Sequence, residues 1–401
     1  MSNWQKLLEP EIVDYIKNHE ESDLAKLAFS GAPNPDWPFP LILEQIKLRR
    51  KAKIKLPEFH DVEGYIFISQ DLLEQASSQA CALYKASLLG GGTFCDLTAG
   101  HGIDSYYIAQ HFKKSSFIER DSDAAEILQH NFDILVKHGK LNCDVTVQSA
   151  FAEDVLENLE LVDCLYLDPQ RRADSKKGIF DLSMTSPNVL SLLPLIQKKC
   201  KKFLLKTSPF LDIPKSINDL KYVSQVHIIQ YQGDCKEVLY LLDFETDTAS
   251  DQVDIVAVDI DNLGNIKKSF RYTLAEERDS FSEFSMPLQY IYEAGPAFMK
   301  AGGYKLLAER FNLKKLHSQT HLYTSDDVCQ EFPGKFYKVE DIRPVQSKAL
   351  TIRKADLAIR NFPESVEILR KKLKIKDGGQ HRIYACTVMD NTKKLVICTK
   401  D

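Results

Sequence analysis

Apolar positions recur three and four apart through the first part of the chain. Leu7, Ile12 and Ile16 are followed by Leu24, Leu27 and Ala28, and Leu41 to Leu48 resumes the pattern after the proline-rich stretch Gly31 to Pro40. This spacing predicts helices broken by a connection that cannot be helical. From about residue 76 the period changes. Thr93–Leu97, Ser116–Glu119, Asp144–Gln148, Val162–Asp168 and Phe203–Lys206 are apolar runs of strand length separated by helix-length segments. That alternation predicts βαβ units and a parallel sheet. Val226–Tyr231 and Val238–Phe244 are joined only by the turn Gln232 to Glu237, which predicts an antiparallel hairpin at the sheet edge. Residues 252–272 predict a second hairpin about Asp261-Asn-Leu-Gly-Asn265, and a helix near Ala294–Arg310 is interrupted at Gly302-Gly303. The last stretch predicts a strand near Lys335–Val339, a helix at Pro363–Lys372 and a terminal hairpin, His381–Met389 with Lys394–Thr399.

Composition narrows the class. The chain has 401 residues, 44% hydrophobic and 27% charged, values of an ordinary globular protein of roughly two to four domains. The longest apolar runs are strand-sized, so no membrane span is expected, and the N-terminus has no signal-peptide pattern. Nine cysteines without paired spacing fit reduced thiols in a cytoplasmic protein, with no metal site. Net charge is −5, but residues 335–401 hold 16 Lys and Arg against 8 Asp and Glu. That local excess points to a polyanion-binding C-terminus. A second basic cluster, Lys47 to Lys55, has six basic residues in nine and reads either as a solvated helix face or as a contact for substrate phosphate.

The chemistry concentrates at strand ends. In Phe94-Cys-Asp-Leu-Thr-Ala-Gly-His-Gly-Ile-Asp-Ser105 an apolar strand ends at Asp96 and a tight Gly100-His-Gly102 turn opens a helix. Glycines there allow a close backbone approach to a ligand, and a helix N-terminus favours an anionic group. His101 either touches that ligand or faces solvent. The second strand ends at Glu119, placed to accept hydrogen bonds from both hydroxyls of a ribose. Its other reading is a surface acid beside the helix Ser122–Val136. The fourth strand ends in Asp168-Pro-Gln-Arg-Arg172, an acid on a stiffened turn over the cleft, where a transfer acceptor could be aligned or deprotonated. A parallel sheet closed by one antiparallel strand favours the methyltransferase variant of the doubly wound fold over a dinucleotide dehydrogenase.

These residues carry a resemblance. Asp96-xxx-Gly100-x-Gly102, Glu119 and Asp168-Pro-x-Arg-Arg172 resemble motifs I, II and IV of class I S-adenosylmethionine-dependent methyltransferases. More narrowly, Asp168-Pro-Gln-Arg-Arg172, Ile179-Phe-Asp-Leu182, Ser186-Pro-Asn188 and Lys206-Thr-Ser-Pro209 are similar to bacterial methyltransferases with a C-terminal THUMP-like domain. Tyr290 to Gly302 and the tail from Leu322 to Lys400 resemble that family's ferredoxin-like and THUMP-like modules. The resemblance implies an α/β fold: a Rossmann-like seven-stranded methyltransferase sheet with an antiparallel last strand, after a helical N-terminal region and before small α+β modules. It divides the chain at 1–75, 76–245, 246–322 and 323–401.

The resemblance also implies roles. Asp96, Ala99, Gly100, Gly102, Glu119, Arg120, Ala150, Phe151 and Asp168 would bind S-adenosyl-L-methionine; Ser149, Ala150 and Phe151 stand by order where the adenine side is usually met. Asp168, Arg171 and Arg172 would act on the acceptor. The partner would be tRNA or rRNA, because THUMP domains bind RNA, and Lys371, Lys372, Lys374 and Arg382 would contact it. The match departs in one place. Many enzymes that methylate exocyclic amines have two prolines and an aromatic residue after the acid, where this chain has Pro169, Gln170 and Arg171, so amine methylation is not implied. The cysteine of 5-methylpyrimidine enzymes has no counterpart either. Two alternatives stand: an RNA-binding protein that has lost turnover, and a methyltransferase acting on a small molecule or protein.

Overall fold

The structure is a computed structural model and describes residues 4–171 and 181–399. Its contacts divide the chain into two compact units, Met1–His227 with Lys236–Ser250 and Ile260–Lys267, and Ile228–Cys235 with Asp251–Asp259 and Lys268–Asp401.

The first unit begins with six helices: α1 (Pro10–Asn18), α2 (Leu24–Ser30), α3 (Phe39–Lys55), α4 (Pro57–His60), α5 (Gln70–Gln75) and α6 (Gln79–Ala86). Side-chain caps start several of them. Asp23 accepts from the backbone of Ala25 and Lys26, Ser69 from Leu72 and Ser78 from Cys81, which satisfies amides that the first turn leaves unpaired. Trp4, Ile12, Ile16, Ile42 and Ile46 pack into one apolar cluster with Ile66 and Ile127. The helical periodicity of the sequence is this buried face.

The basic cluster on α3 is largely paired within the chain. Arg49 pairs with Glu20 at 3.4 Å and donates to the His60 carbonyl at 2.9 Å. Arg50 donates to the carbonyls of Glu20 and Ser22, Lys51 pairs with Glu74, Lys53 pairs with Glu21 at 2.8 Å, and Lys55 donates to the Leu73 and Glu74 carbonyls. Five of the six side chains tie α3 to its neighbours.

Then the alternation sets in: β1 (Thr93–Asp96), α7 (Ile103–Ala109), β2 (Lys114–Glu119), α8 (Ser122–Lys137), β3 (Asp144–Ser149), α9 (Ala152–Asn158) and β4 (Val162–Leu167). A two-residue strand β5 (Gln170–Arg171) pairs with β6 (Thr185–Ser186). After these come α10 (Val189–Lys199), β7 (Cys200–Thr207), α11 (Ile213–Leu220), β8 (Val223–Tyr231), β9 (Asp234–Asp243), β10 (Asp254–Ile260) and β11 (Ile266–Thr273). The strand order is β11-β10-β8-β9-β7-β4-β1-β2-β3. Strands β3, β2, β1, β4 and β7 run parallel, and β9 inserts antiparallel beside β7. The expected methyltransferase order is present with its antiparallel strand. The sheet nevertheless has nine strands rather than seven, and the β8–β9 hairpin is not its edge, because β10 and β11 extend the ladder. Exposed edges invite further pairing, which the apolar alternation of β10 answers. The turn between β10 and β11 is built on Asp261, whose carboxylate accepts from the Leu263 and Asn265 amides, with Gly264 at φ +76°.

The remaining elements are α12 (Leu274–Asp279), β12 (Tyr290–Ala294), α13 (Pro296–Ala301), α14 (Tyr304–Arg310), β13 (Lys314–Lys315), β14 (Tyr323–Ser325), β15 (Gly334–Pro344), β16 (Asp356–Arg360), α15 (Val366–Leu373), β17 (His381–Thr387) and β18 (Lys393–Thr399). Here the sheet order is β13-β14-β12-β15-β18-β17-β16. The break predicted at Gly302-Gly303 separates α13 from α14, with Gly302 left-handed at φ +90°. Strand β15 runs on to Pro344 through an irregularity between Val339 and Asp341. Strand β16, parallel to β17, was not expected; its five residues are too few for a clear alternation. Among the described residues no helix is long and apolar enough to cross a membrane.

Candidate active site

At the end of β1 the Asp96 carboxylate is buried. It accepts from the Thr98 amide at 2.8 Å and from the Ser105 hydroxyl at 2.6 Å. Burial pushes its pKa up to about 7, against the pull of those hydrogen bonds. The chain then turns through Gly100, at φ +56°, whose amide donates to Glu119 at 3.0 Å. Gly102 serves packing rather than ligand approach: a Cβ there would come within 2.5 Å of Leu128 and 3.0 Å of Phe132. His101 is buried, not solvent-facing. Its ring lies nearly parallel to Phe67, and neither ring nitrogen has a hydrogen-bond partner among the described residues. Desolvation lowers its pKa to about 3, so the imidazole is neutral.

Glu119 ends β2 with both oxygens engaged, one by Gly100 and the other by the Asp121 amide at 2.9 Å. Asp121 in turn caps α8 through the Ala124 amide. At the end of β3 the Ala150 amide donates to the Glu119 carbonyl at 3.1 Å, and Phe151, 58% exposed, precedes α9. These strand ends open on a cavity of about 840 Å³, lined by Asp96, Ala99, Gly100, Glu119, Arg120, Ala150, Phe151 and Asp168. Gly102 does not line it. The wall also takes residues from the N-terminal helices and the segments beside them, including Leu41, Glu44, Ser69 and Leu72. Nine carboxylates and one guanidinium border it, so the cavity favours a cation.

Asp168 follows β4, its amide donating to Thr98 Oγ1 at 2.8 Å. Its carboxylate is ion-paired with Lys206, from the end of β7. Burial opposes the charge on Lys206, but Asp168, Asp104 and Glu237 overcome it and hold the ammonium well above the ordinary lysine range. Behind this pair Lys85 of α6, fully buried, donates to Ser77 at 2.9 Å and pairs with Glu237 at 2.6 Å and Asp104 at 3.2 Å. Asp104 also accepts from the hydroxyls of Tyr166 at 2.7 Å and Ser77 at 2.9 Å. Three carboxylates and two ammoniums thus meet beside the Asp168 end of the cavity, with Asp104 and Asp168 in its wall. Sequence reasoning missed Lys85, Asp104 and Glu237. Lys206 was visible only in the Lys206-Thr-Ser-Pro209 resemblance. Gln170 donates to Gln75 at 3.0 Å, and the Arg171 backbone pairs with Thr185. Arg172 lies outside the described residues.

The expected RNA contacts divide. Arg382 is half-buried and engaged within the chain. It pairs with Glu293 at 2.7 Å, donates to the Tyr384 hydroxyl at 2.7 Å and lies over the Tyr337 and Tyr384 rings, so it is no free phosphate ligand. Lys371 is exposed at the end of α15, Lys372 is exposed and paired with Glu364 at 2.6 Å, and Lys374 follows the helix in a left-handed conformation. No cluster of potential metal ligands occurs among the described residues.

The fold and the site define a class: a doubly wound methyltransferase sheet with its cavity at the parallel strand ends, followed by small α+β modules. Residues 290–333 match a family model described as a ferredoxin-like domain, and residues 334–400 one described as THUMP domain-like. The chain is thus a THUMP-like-domain-containing protein of the methyltransferase fold, as the sequence resemblance implied. It is similar to the crystal structure of a “putative methyltransferase” from Porphyromonas gingivalis W83, at 27% identity over 100% of this chain and 99% of that one, with a TM-score of 0.88. A precorrin-6y C5,15-methyltransferase from Geobacter metallireducens GS-15 matches at 16% identity over 48% of this chain and 96% of that chain, with a TM-score of 0.31. At that distance it bears no weight. No curated protein is significantly similar in sequence.

Proposed function

We propose that the protein transfers a methyl group from S-adenosylmethionine to a nucleotide of tRNA or rRNA. One observation carries the cofactor: the acidic cavity at the strand ends, with Glu119 fixed by two backbone amides. Each carboxylate oxygen keeps a lone pair for a ribose hydroxyl. The glycine loop leaves room as well, since a Cβ at Gly100 would meet nothing closer than Leu72 at 3.7 Å. The residues present therefore fit a nucleoside that bears a positive charge.

When bound, S-adenosylmethionine supplies an electrophilic methyl on a sulfonium. The chain's own residues bind, align and exclude water. Glu119 holds the ribose, Ala150 and Phe151 stand beside the base, and the carboxylates of the wall favour the positive charge. Asp168 orients the acceptor and takes its proton. RNA as acceptor is supported by the match to a THUMP-like domain and by the basic excess of residues 335–401. Incubating the protein with methyl-labelled S-adenosylmethionine and total RNA from a strain lacking the gene tests the reading. Label should enter RNA and be lost with Asp168→Ala, while cofactor affinity by calorimetry stays within a few-fold. Full transfer by the variant would remove Asp168 from its role.

A further inference from the structure

From the pairing of Lys206 with Asp168 we infer that the acceptor is a hydroxyl, the ribose 2′-OH of RNA, rather than a base nitrogen. The inference rests on the methyltransferase reading above and deepens it.

The argument is one of charge. A neutral amine that attacks a sulfonium methyl gains positive charge as the bond forms, and an ammonium beside it raises the barrier. A hydroxyl loses its proton as it attacks and gains negative charge on oxygen, and the same ammonium lowers the barrier. Lys206 stands against the carboxylate that meets the acceptor, and its neighbours keep it protonated: Asp168, Asp104 and Glu237 outweigh the burial that opposes its charge. The lysine is held in place as well. Its side chain is only 13% exposed, and Lys85 draws Glu237 and Asp104 into one buried cluster with it. A cation kept charged by three acids suits the stabilisation of an oxyanion.

The positions beside the acid agree. Gln170 is tied to Gln75, where an amine enzyme would carry a proline before its stacking aromatic. No cysteine lines the cavity among the described residues, so nothing there would attack a pyrimidine ring carbon.

The step balances. The hydroxyl oxygen attacks the methyl carbon, and an O–C bond forms. The C–S bond breaks with its electron pair passing to sulfur, which becomes a neutral thioether. The hydroxyl proton passes to the Asp168 carboxylate and then to water. Asp168 and Lys206 would be catalytic residues; Lys85 and Glu237 are positioning residues that act through Lys206.

Alkali tests the atom directly, because it cleaves RNA through the free 2′-hydroxyl. Full-length protein, methyl-labelled S-adenosylmethionine and total RNA from the deletion strain are combined, and the RNA is hydrolysed in alkali. Label retained in alkali-stable dinucleotides is the expected result, and the same dinucleotides should be present in RNA of the parent strain and missing from the deletion strain. Label in mononucleotides would overturn the inference and leave the RNA-methyltransferase reading standing. No label in RNA would overturn both. Lys206→Met should lower transfer by about 100-fold or more while calorimetry finds cofactor affinity within a few-fold, and Lys206→Arg should recover part of the rate. For the positioning pair, Glu237→Gln should move the pH profile of transfer, which a merely structural role would not do. A Lys206→Met protein that transfers at the parental rate would sink the hydroxyl assignment.

Discussion

The Glu119 carboxylate already spends one lone pair of each oxygen on backbone amides, so its orientation is fixed before any ligand arrives. That preorganisation gives a first expectation. Glu119→Ala should weaken S-adenosylmethionine binding about tenfold or more by calorimetry, the loss of charge-assisted hydrogen bonds to the ribose. Unchanged affinity would take Glu119 out of the site. Asp96 gives a second, through its proton. With a pKa raised to about 7 from an ordinary 3.8, it is largely protonated at pH 6 and largely ionised at pH 8. Affinity for the cationic cofactor should therefore rise across that interval, and Asp96→Asn should flatten the rise. The stability sign runs the other way. The folded state holds this proton more tightly than the unfolded chain, so Asp96 contributes fully below pH 3.8 and the contribution fades as pH rises through 7. Denaturant unfolding of the parent and of Asp96→Asn at pH 5 and pH 8 reads the difference.

Helices α3 and α15 look alike in the sequence, each dense in lysine and arginine, and behave differently. On α3 five of the six charged side chains are taken up by the chain itself. Replacing Arg49 and Arg50 with Ala should cost about 1–3 kcal/mol in denaturant unfolding, from the carbonyls and the Glu20 carboxylate left without partners, and should leave the salt dependence of RNA binding alone. On α15 and the residue after it, Lys371, Lys372 and Lys374 are exposed. The triple Ala variant should flatten the slope of log affinity against log salt by about two units, at roughly 0.7 per phosphate on single strands. A parental slope would mean that RNA is held elsewhere. Arg382→Ala belongs with α3: its loss leaves Glu293 short of one partner and should lower stability more than the slope. Charge density is legible from sequence, whereas the acids that answer it are not. Glu20 lies 29 residues from Arg49, and Glu293 lies 89 from Arg382.

For the whole molecule, legibility followed the distance over which each feature is specified. The βαβ alternation, the antiparallel β9 and the break at Gly302-Gly303 are local patterns, and all were readable. So were the strand-end acids, because chain order alone carries each to the open end of a parallel sheet. The extension of the sheet by β10 and β11 was not, since hairpin pairing says nothing about which edge the hairpin joins. Nor was the Lys85–Glu237 pair, whose members are 152 residues apart. Lys85 lies in the last turn of an unremarkable short helix and would pass for a surface lysine until the fold encloses it.

The turn at Gly264 has a bearing on rate as well as shape. A Cβ there would meet the Ala80 carbonyl at 2.9 Å, Leu83 at 3.0 Å and the Tyr84 amide at 3.1 Å, all on α6, the helix that carries Lys85 in its last turn. The glycine acts as a mechanical stop against the helix that anchors the charge behind Asp168. Gly264→Ala, at a position that does not line the cavity, must therefore shift α6 or the turn against it by some tenths of an ångström. Turnover should fall while the apparent affinity for S-adenosylmethionine holds, since nothing that grips the nucleoside has moved. A residue on a surface hairpin would then set the speed of a reaction that it cannot touch.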